Sequence, residues 1–277
     1  MYLCLAMTSS VLVSLVMRYS VEKVKNRISM LAVNYTTCLL LSLLHIGPGL
    51  VPQGEEGMGT ALMLGILAGA LLLAGFVLMQ WNMEKNGVVL SATFSRLGIL
   101  VPAVLSVVWF RERPQILQIF GFLLALLAIL LIHRDGKKTQ AQSSIALLLL
   151  LLANGCADAM AKVFEALGNM ALENFYLLFT FLAAVGFSLF VVGKKKQRFT
   201  KTDLFYGALL GIPNFYSVKF LVKALEEIPA VIIYPTYSVG VILVLSLLGA
   251  VLFQEKLSHN QKTALSVILV SLILLNL

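Results

Sequence analysis

Ten long apolar segments constrain this chain more than any other feature of its sequence. Each has roughly the 20 residues that a helix needs to cross about 30 Å of hydrocarbon, and none shows the alternation expected of a membrane β-barrel. The sequence therefore predicts an all-α integral membrane protein with ten transmembrane helices joined by short connections. We place the helices near 2–20, 28–47, 59–83, 87–110, 115–133, 144–165, 172–193, 203–226, 229–252 and 258–276.

The composition agrees with a membrane-embedded chain. Apolar residues make up 60% and charged residues 12% of the sequence, whereas about a quarter of a soluble domain is charged. The net charge is +8, but the basic residues lie between apolar segments, which is typical of orientation signals and anionic-lipid contacts. We expect the bilayer and a small-molecule substrate as partners, with a coupling proton or ion as a further candidate. We expect no nucleic acid, metal or cofactor, and either a monomer or a homodimer.

An internal repeat relates the two halves of the chain. Residues 84–112 align without gaps with 227–255, and 11 of the 29 positions are identical. The polar identities include Glu84/Glu227, Thr93/Thr236, Ser95/Ser238 and Glu112/Glu255. Because five helices per copy is an odd number, the copies cross the membrane in opposite directions, as in transporters with a midplane site between inverted repeats. We predict a first repeat over 1–134, a short linker over 135–143 and a second repeat over 144–277.

Two corresponding segments carry a family resemblance. The stretch ALEEIPAVIIYPTYSVGVILVLSLLGAVLFQEKLS (224–258) and its first-half counterpart VVWFRERPQ (107–115) look like a signature helix and the glycine/Phe-Glu-Arg-type turn that follows it. Each half thus resembles the small multidrug resistance and EamA-type branches of the drug/metabolite transporter superfamily, over nearly the whole chain. The resemblance implies a ten-helix carrier that exports or imports a small metabolite or drug, but it does not identify the substrate.

The resemblance also implies which residues line the binding site. Small multidrug carriers hold a glutamate in the first helix that binds a proton and a cationic drug alternately. The matching positions here are Ser10 and Asn154, neither of which carries a proton near neutral pH. The aromatic positions of the fourth helix match Tyr234 and Tyr237 in the second half, and Ser91 and Phe94 in the first half. The usual coupling carboxylate is therefore missing.

Two deep basic residues favour an anionic or zwitterionic substrate. A charge in the middle of the bilayer costs roughly 2.5–3.5 kcal/mol, so such residues are rare and often functional. Arg96 carries a forked guanidinium suited to a carboxylate or phosphate. Pairing with Asp158 or with nearby backbone carbonyls is the structural alternative, and both interpretations stay open. Lys219 lies similarly deep, and a binding role and a structural role are equally open for it.

Two further polar positions are site candidates. Asp158 is the best candidate for a proton-coupling group. Lys162 lies four residues later on the same helix face, however, and this spacing slightly favours an ion pair in which the two residues neutralise each other. Asn34 lies within the second apolar segment, where interhelical hydrogen bonding is the alternative to substrate binding.

Three prolines inside the apolar segments are expected to bend their helices, because proline has no N–H to bond the carbonyl four residues earlier. They are Pro102, Pro213 and Pro235. Bends beside a midplane site suit a carrier that rocks between two states, although proline is common in spanning helices.

The basic residues also predict an orientation. Connections counted as odd from the first carry 15 basic residues, whereas even connections and their helix ends carry only Arg111, Arg113, Lys162 and Lys223. The positive-inside rule then places the odd connections in the cytoplasm and both termini outside. We expect a multi-pass protein of the cell membrane, specifically of a bacterial inner membrane.

These features favour a secondary active transporter that moves an amino acid, organic acid or sugar phosphate by alternating access. A multidrug exporter of cations is the main alternative, favoured by the resemblance and disfavoured by the absent glutamate. A lipid-carrier flippase or helper subunit is a second alternative. We do not expect an enzyme, because the sequence shows no paired-acid motif, glycine-rich phosphate loop or nucleophile elbow.

Overall fold

The computed structural model describes residues 1–20, 23–46, 56–86, 88–132, 144–252 and 259–277. All regular secondary structure within these ranges is helical. The helices are α1 (Tyr2–Ser20), α2 (Arg27–Ile46), α3 (Met58–Asn86), α4 (Val88–Leu97), α5 (Leu100–Val108), α6 (Ile116–Ile132), α7 (Ser144–Leu167), α8 (Glu173–Lys194), α9 (Lys201–Glu227), α10 (Ala230–Leu252) and α11 (His259–Leu275). The predicted linker 135–143 and the second-half turn at 253–258 lie outside the described residues.

Each predicted apolar segment coincides with a helix, and only the fourth is divided, into α4 and α5. Seven of the described helices are long and apolar enough to cross a membrane. Three shorter apolar helices accompany them, Phe94–Val108, Ile116–Leu131 and Lys262–Leu275. The prediction of an all-α membrane protein built from ten apolar helical segments is therefore confirmed for the described part of the chain.

The chain forms two compact units. The first unit contains Met1–Leu73 and Val163–Ala224, and the second contains Ala74–Lys162 and Leu225–Leu277. Each unit combines segments from both predicted repeats, so the units are defined by packing and not by the duplication. The repeat boundaries stay a prediction from the sequence.

Close helix contacts at glycine hold the first unit together. A Cβ at Gly207 of α9 would lie 2.6 Å from the Met30 carbonyl oxygen of α2, and one at Gly211 would lie 2.7 Å from the Asn34 carbonyl oxygen. The two glycines are four residues apart, so α9 presents one small face to α2, as membrane helices do where their backbones approach. Gly65 of α3 approaches α8 in the same way, with a Cβ position 3.0 Å from the Tyr176 carbonyl oxygen.

The second unit has an apolar core between α6, α10 and α11. Buried side chains from these helices and from the turn before α5 pack together, namely Ile99, Ala125, Ala128, Ile129, Val239, Ile242 and Ile268. The Ser271 hydroxyl of α11 donates to the Gly121 carbonyl of α6 at 2.8 Å. Ser271 therefore joins the two helices by a polar contact inside an otherwise apolar interface.

The break between α4 and α5 occurs at Gly98–Ile99, four residues before Pro102. Proline removes the hydrogen bond to the carbonyl of residue i−4, here Gly98, and its ring clashes with that carbonyl. The chain tightens instead, because the Val101 N–H donates to the Gly98 carbonyl at 2.9 Å, three residues away. The sequence located the cause of the bend, and the structure shows that the bend is a short interruption of the helix.

The other two prolines act differently. Both α9 and α10 continue as helices through Pro213 and Pro235. Proline lowers the local stability of a helix even where the helix continues, because one backbone hydrogen bond is lost.

The α4–α5 break packs directly on α7. A Cβ at Gly155 would lie 2.5 Å from the Gly98 carbonyl oxygen and 2.6 Å from Val101 Cβ. Only glycine at position 155 allows this approach, which places the polar residues that follow Gly155 in α7 beside the end of α4.

We expect Gly155→Ala to destabilise the protein by about 1–3 kcal/mol, because the added methyl group overpacks a backbone contact. The measurement is the melting temperature in detergent. Gly186→Ala in α8 is the matched control, since a Cβ there meets nothing within 4 Å and alanine favours helix by about 0.5–1 kcal/mol over glycine. Equal melting temperatures for the two variants would contradict the contact.

Candidate functional site

The second unit brings most of the predicted site residues together around α7. Asn154 and Asp158 lie one turn apart on this helix, which runs from Ser144 to Leu167. Asp158 is about 13 Å from the C-terminal end of α7, at 1.5 Å per residue. Asp158 is nevertheless exposed as a whole residue, although the surrounding protein desolvates its carboxyl group. Asn154, by contrast, is partly buried.

Asn154 is held in place by α3 and α4. Its side-chain amide donates from Nδ2 to the Ser95 hydroxyl of α4 at 2.8 Å. Its Oδ1 lies so close to Gly75 of α3 that a Cβ at Gly75 would collide with it. The residue at the position of the family's coupling glutamate therefore makes a neutral hydrogen bond that joins two helices.

Arg96 and Asp158 are an interacting pair of opposite charges. Arg96 is partly buried in the last turn of α4, and its charge acts on the Asp158 carboxyl. Within the described part of the chain the two side chains form no direct salt bridge. Each charge thus lowers the cost of the other in the membrane, while both groups keep hydrogen-bonding capacity for a ligand.

The aromatic candidates on α10 differ in their surroundings. Tyr234 is buried, with 2% of its surface exposed, and its hydroxyl donates to the Asp158 backbone carbonyl at 2.7 Å. Tyr237, three residues later, is partly buried, as is Phe94 on α4. Tyr234 therefore fixes the backbone of Asp158, while Tyr237 and Phe94 keep exposed ring surface.

The prediction that Asp158 and Lys162 neutralise each other is wrong. Lys162 Nζ forms an ion pair with Glu112 Oε1 at 3.0 Å and lies 5.5 Å from the centre of the Phe110 ring. The i, i+4 spacing places Lys162 near Asp158, but the turn after α5 brings another carboxylate closer. The basic residue that acts electrostatically on Asp158 is Arg96.

Glu112 joins three elements of the second unit. Besides its ion pair with Lys162 of α7, its carboxylate accepts hydrogen bonds from the Ala230 N–H at 3.1 Å and the Val231 N–H at 3.0 Å. These are the first two residues of α10, whose N–H groups have no partner within the helix and attract negative charge. We call this set of contacts the Glu112 clamp. It attaches the start of α10 to α7 through a carboxylate that lies between the apolar segments 87–110 and 115–133.

The Glu112 clamp also determines the protonation of its carboxyl. Burial alone raises the pKa of Glu112, but the hydrogen bonds from Val231 and Ala230 and the Lys162 ammonium outweigh it, so the pKa lies below its usual 4.5. Glu112 is therefore ionised at neutral pH, as the clamp requires.

The remaining candidates lie in the first unit, where each has its own contacts. Lys219 is buried on α9, donates to Asn174 Oδ1 at 3.0 Å and lies 5.7 Å from the centre of the Phe215 ring. The Asn34 side chain is buried and accepts a hydrogen bond from Asn214 Nδ2 at 3.2 Å. Ser10 is partly buried in α1. Their part in substrate binding stays a prediction.

Sequence reasoning missed two residues of the site. Ser95 was visible as an identity with Ser238 in the repeat, and Glu112 as an identity with Glu255, but neither identity showed which helix the side chain contacts. No group of three or more His, Cys, Asp or Glu residues in the described ranges could hold a metal ion.

We expect the Glu112 clamp to make stability depend on acid pH. Because the pKa is lower in the folded protein, the contribution of Glu112 is complete above its usual pKa and is lost as the pH falls through its folded value. Glu112→Gln should lower stability near pH 7 by about 1–3 kcal/mol, since a charged hydrogen-bonding group is lost. It should also make the melting temperature less dependent on pH below about 4.5.

Melting curves from pH 3 to pH 8 measure this effect. Glu226→Gln removes an exposed carboxylate at the end of α9 and is the control for net charge. A Glu112→Gln protein with the wild-type pH profile would show that the clamp does not stabilise the fold.

Comparisons with known proteins agree with this architecture. An uncharacterized protein of Haemophilus influenzae is 25% identical over an alignment that covers 92% of this chain and 90% of the relative. A crystal structure of another protein superposes over 100% of this chain and 98% of its own, with a TM-score of 0.78 and 12% identity, which is a likeness of fold. Residues 1–134 match the model of the EamA-like transporter family. This match covers just under half of the chain and agrees with the resemblance to the drug/metabolite transporter superfamily that the sequence predicted.

Proposed function

We propose that this protein is a secondary active transporter that moves a small anionic or zwitterionic metabolite across the membrane by alternating access. The family match supports a membrane transporter. The observation that carries the substrate class is the pair of Arg96 and exposed Asp158, which interact electrostatically.

Arg96 is the proposed anion-binding group. Its guanidinium has five N–H donors in a planar fork that matches the two oxygens of a carboxylate or phosphate. It sits at the end of α4, next to the break before α5. A ligand there is bound beside an interruption of the helix, where a small change in backbone conformation moves the guanidinium.

Asp158 is the proposed second contact and the candidate for ion coupling. An ionised carboxylate accepts hydrogen bonds from the ammonium group of a zwitterion, and it can take up a proton when the ligand leaves. Arg96 and Asp158 together match a ligand that carries both charges. Tyr237 and Phe94 are proposed to line the same pocket with their exposed ring surface.

A carrier of organic cations is the second candidate function. The carboxylate of the exposed residue Asp158 favours it, because carboxylates and aromatic rings are the groups that bind lipophilic cations. The charge of Arg96 opposes it, since a cation bound at Asp158 would be repelled by the guanidinium.

The duplicated sequence supports alternating access. Inverted repeats allow one half of a carrier to rock against the other around a midplane site. We also propose that both termini lie outside the cytoplasm, because the odd connections hold 15 basic residues and the even ones hold four. The bacterial relative supports a bacterial inner membrane.

We expect Arg96→Lys to weaken ligand binding about tenfold or more, because a single ammonium cannot replace a two-point contact. The test is a thermal-shift screen of the purified protein with amino acids, organic acids, sugar phosphates and quaternary ammonium compounds. A ligand at 100 times its Kd adds about 2.7 kcal/mol of stability to the folded state.

The design includes Arg96→Gln, Arg96→Ala and the control Arg27→Gln, which removes an exposed charge at the start of α2. Stabilisation by anions or zwitterions that is lost in all three Arg96 variants supports the proposal. Equal stabilisation of wild type and all Arg96 variants would refute a binding role for Arg96, and stabilisation by quaternary ammonium compounds alone would establish the cation carrier.

A further inference from the structure

An open apolar groove follows one face of α5. Its volume is about 380 Å³, within the range of about 300–1,000 Å³ that is typical of small-molecule sites. Among the described residues, those that line it are Leu100, Val101, Val104, Leu105, Val108 and Trp109. These residues repeat at four-residue intervals, so they form one continuous stripe along the helix.

The length of the groove matches one leaflet of a bilayer. From Leu100 to Trp109 the stripe extends about 13 Å at 1.5 Å per residue, and the hydrocarbon core of a whole bilayer is about 30 Å thick. Trp109 ends the stripe and is 71% exposed, as expected for a tryptophan at the membrane interface. The groove therefore spans the depth of a single acyl chain in one leaflet.

Two exposed arginines follow the interfacial end of the groove. Arg111 and Arg113 are both exposed, whereas Glu112 between them is turned inward into its clamp. The carboxylate that could neutralise them is thus occupied by α10 and Lys162. The surface that follows Trp109 therefore carries two exposed arginines, at the end of the groove where an interfacial tryptophan is expected.

The backbone at Arg111 points to a use for its side chain. Its φ is +55°, in the left-handed region that glycine adopts at least cost. A residue other than glycine in such a conformation stores strain, and strain of this kind often marks a functional position. An arginine is present where glycine fits the backbone better.

We propose that the α5 groove together with Arg111 and Arg113 is a binding site for one anionic phospholipid. One acyl chain occupies the groove from Leu100 to Trp109, and the phosphate is bound by the two guanidinium groups. The positive charge of the two arginines is complementary to an anionic headgroup. The site should therefore prefer an anionic lipid to the zwitterionic lipids that cover other apolar faces of the protein. The site is separate from Arg96 and Asp158, and the proposal does not depend on transport.

Trp109 is a reporter at the site itself. The chain has two tryptophans, so Trp81→Phe leaves Trp109 as the single fluorophore while keeping a ring for Lys85. The probes are phosphatidylglycerol and phosphatidylcholine with brominated acyl chains, added at low mole fraction to the protein in nanodiscs of unbrominated phosphatidylcholine. We expect brominated phosphatidylglycerol to quench Trp109 at a mole fraction about 25-fold lower than brominated phosphatidylcholine, which is about fivefold for each of the two arginines.

Matched variants separate the headgroup contact from the acyl-chain contact. Arg111→Gly with Arg113→Gln should remove the preference for phosphatidylglycerol, and glycine at position 111 fits the backbone, so folding is preserved. Lys23→Gln with Lys25→Gln removes the same charge from exposed residues elsewhere and should keep the preference. Val104→Phe fills the groove and should reduce quenching by both lipids, whereas Val107→Phe, exposed on the same helix but not lining the groove, should not.

Three outcomes overturn the proposal. Equal quenching by the two lipids in the Trp81→Phe protein would mean that the groove holds ordinary boundary lipid. A preference for phosphatidylglycerol that survives loss of both arginines would place its cause elsewhere. If neither brominated lipid quenches Trp109, a protein surface, such as a second copy of the chain, covers the groove.

Discussion

The contact between Gly155 and the Gly98–Ile99 break determines the arrangement of the second unit. Because Gly155 and Gly98 have no side chains, the backbone of α7 reaches the carbonyl end of α4. This approach places Asn154 within hydrogen-bonding distance of Ser95 and brings Asp158 under the influence of Arg96. Any larger residue at Gly155 would separate α7 from α4, and would weaken both the Asn154–Ser95 hydrogen bond and the Arg96–Asp158 interaction.

A membrane interior makes this proximity an energetic requirement. A lone arginine or aspartate at this depth costs several kcal/mol, and the two charges reduce that cost for each other. A direct salt bridge would satisfy them more fully but would leave nothing for a ligand. The pair interacts without a direct bridge in the described structure, which is the arrangement that the proposed ligand-binding role requires.

The sequence predicted what depends on local properties and missed what depends on tertiary neighbours. Apolar length defined the helices, and Pro102 showed that the fourth would bend. Spacing alone paired Asp158 with Lys162, because i, i+4 residues always share a helix face, but it could not show that the turn after α5 brings Glu112 to Lys162. The direction of Tyr234 was equally hidden, since a pocket aromatic and a buried hydrogen-bond donor have the same sequence signal.

The contacts between α7 and α10 restrict how the second unit can change shape. Releasing the Glu112 clamp would take the Lys162 ammonium and two helix N–H groups away from the carboxylate that they contact, which is costly for buried polar groups. Tyr234 adds a second attachment, at the Asp158 carbonyl. A movement of α7 would therefore carry the start of α10 with it, and the second unit would have to bend where hydrogen bonds are already missing. Those places are the break before Pro102, which follows Arg96, and the helix around Pro235, which lies between Tyr234 and Tyr237.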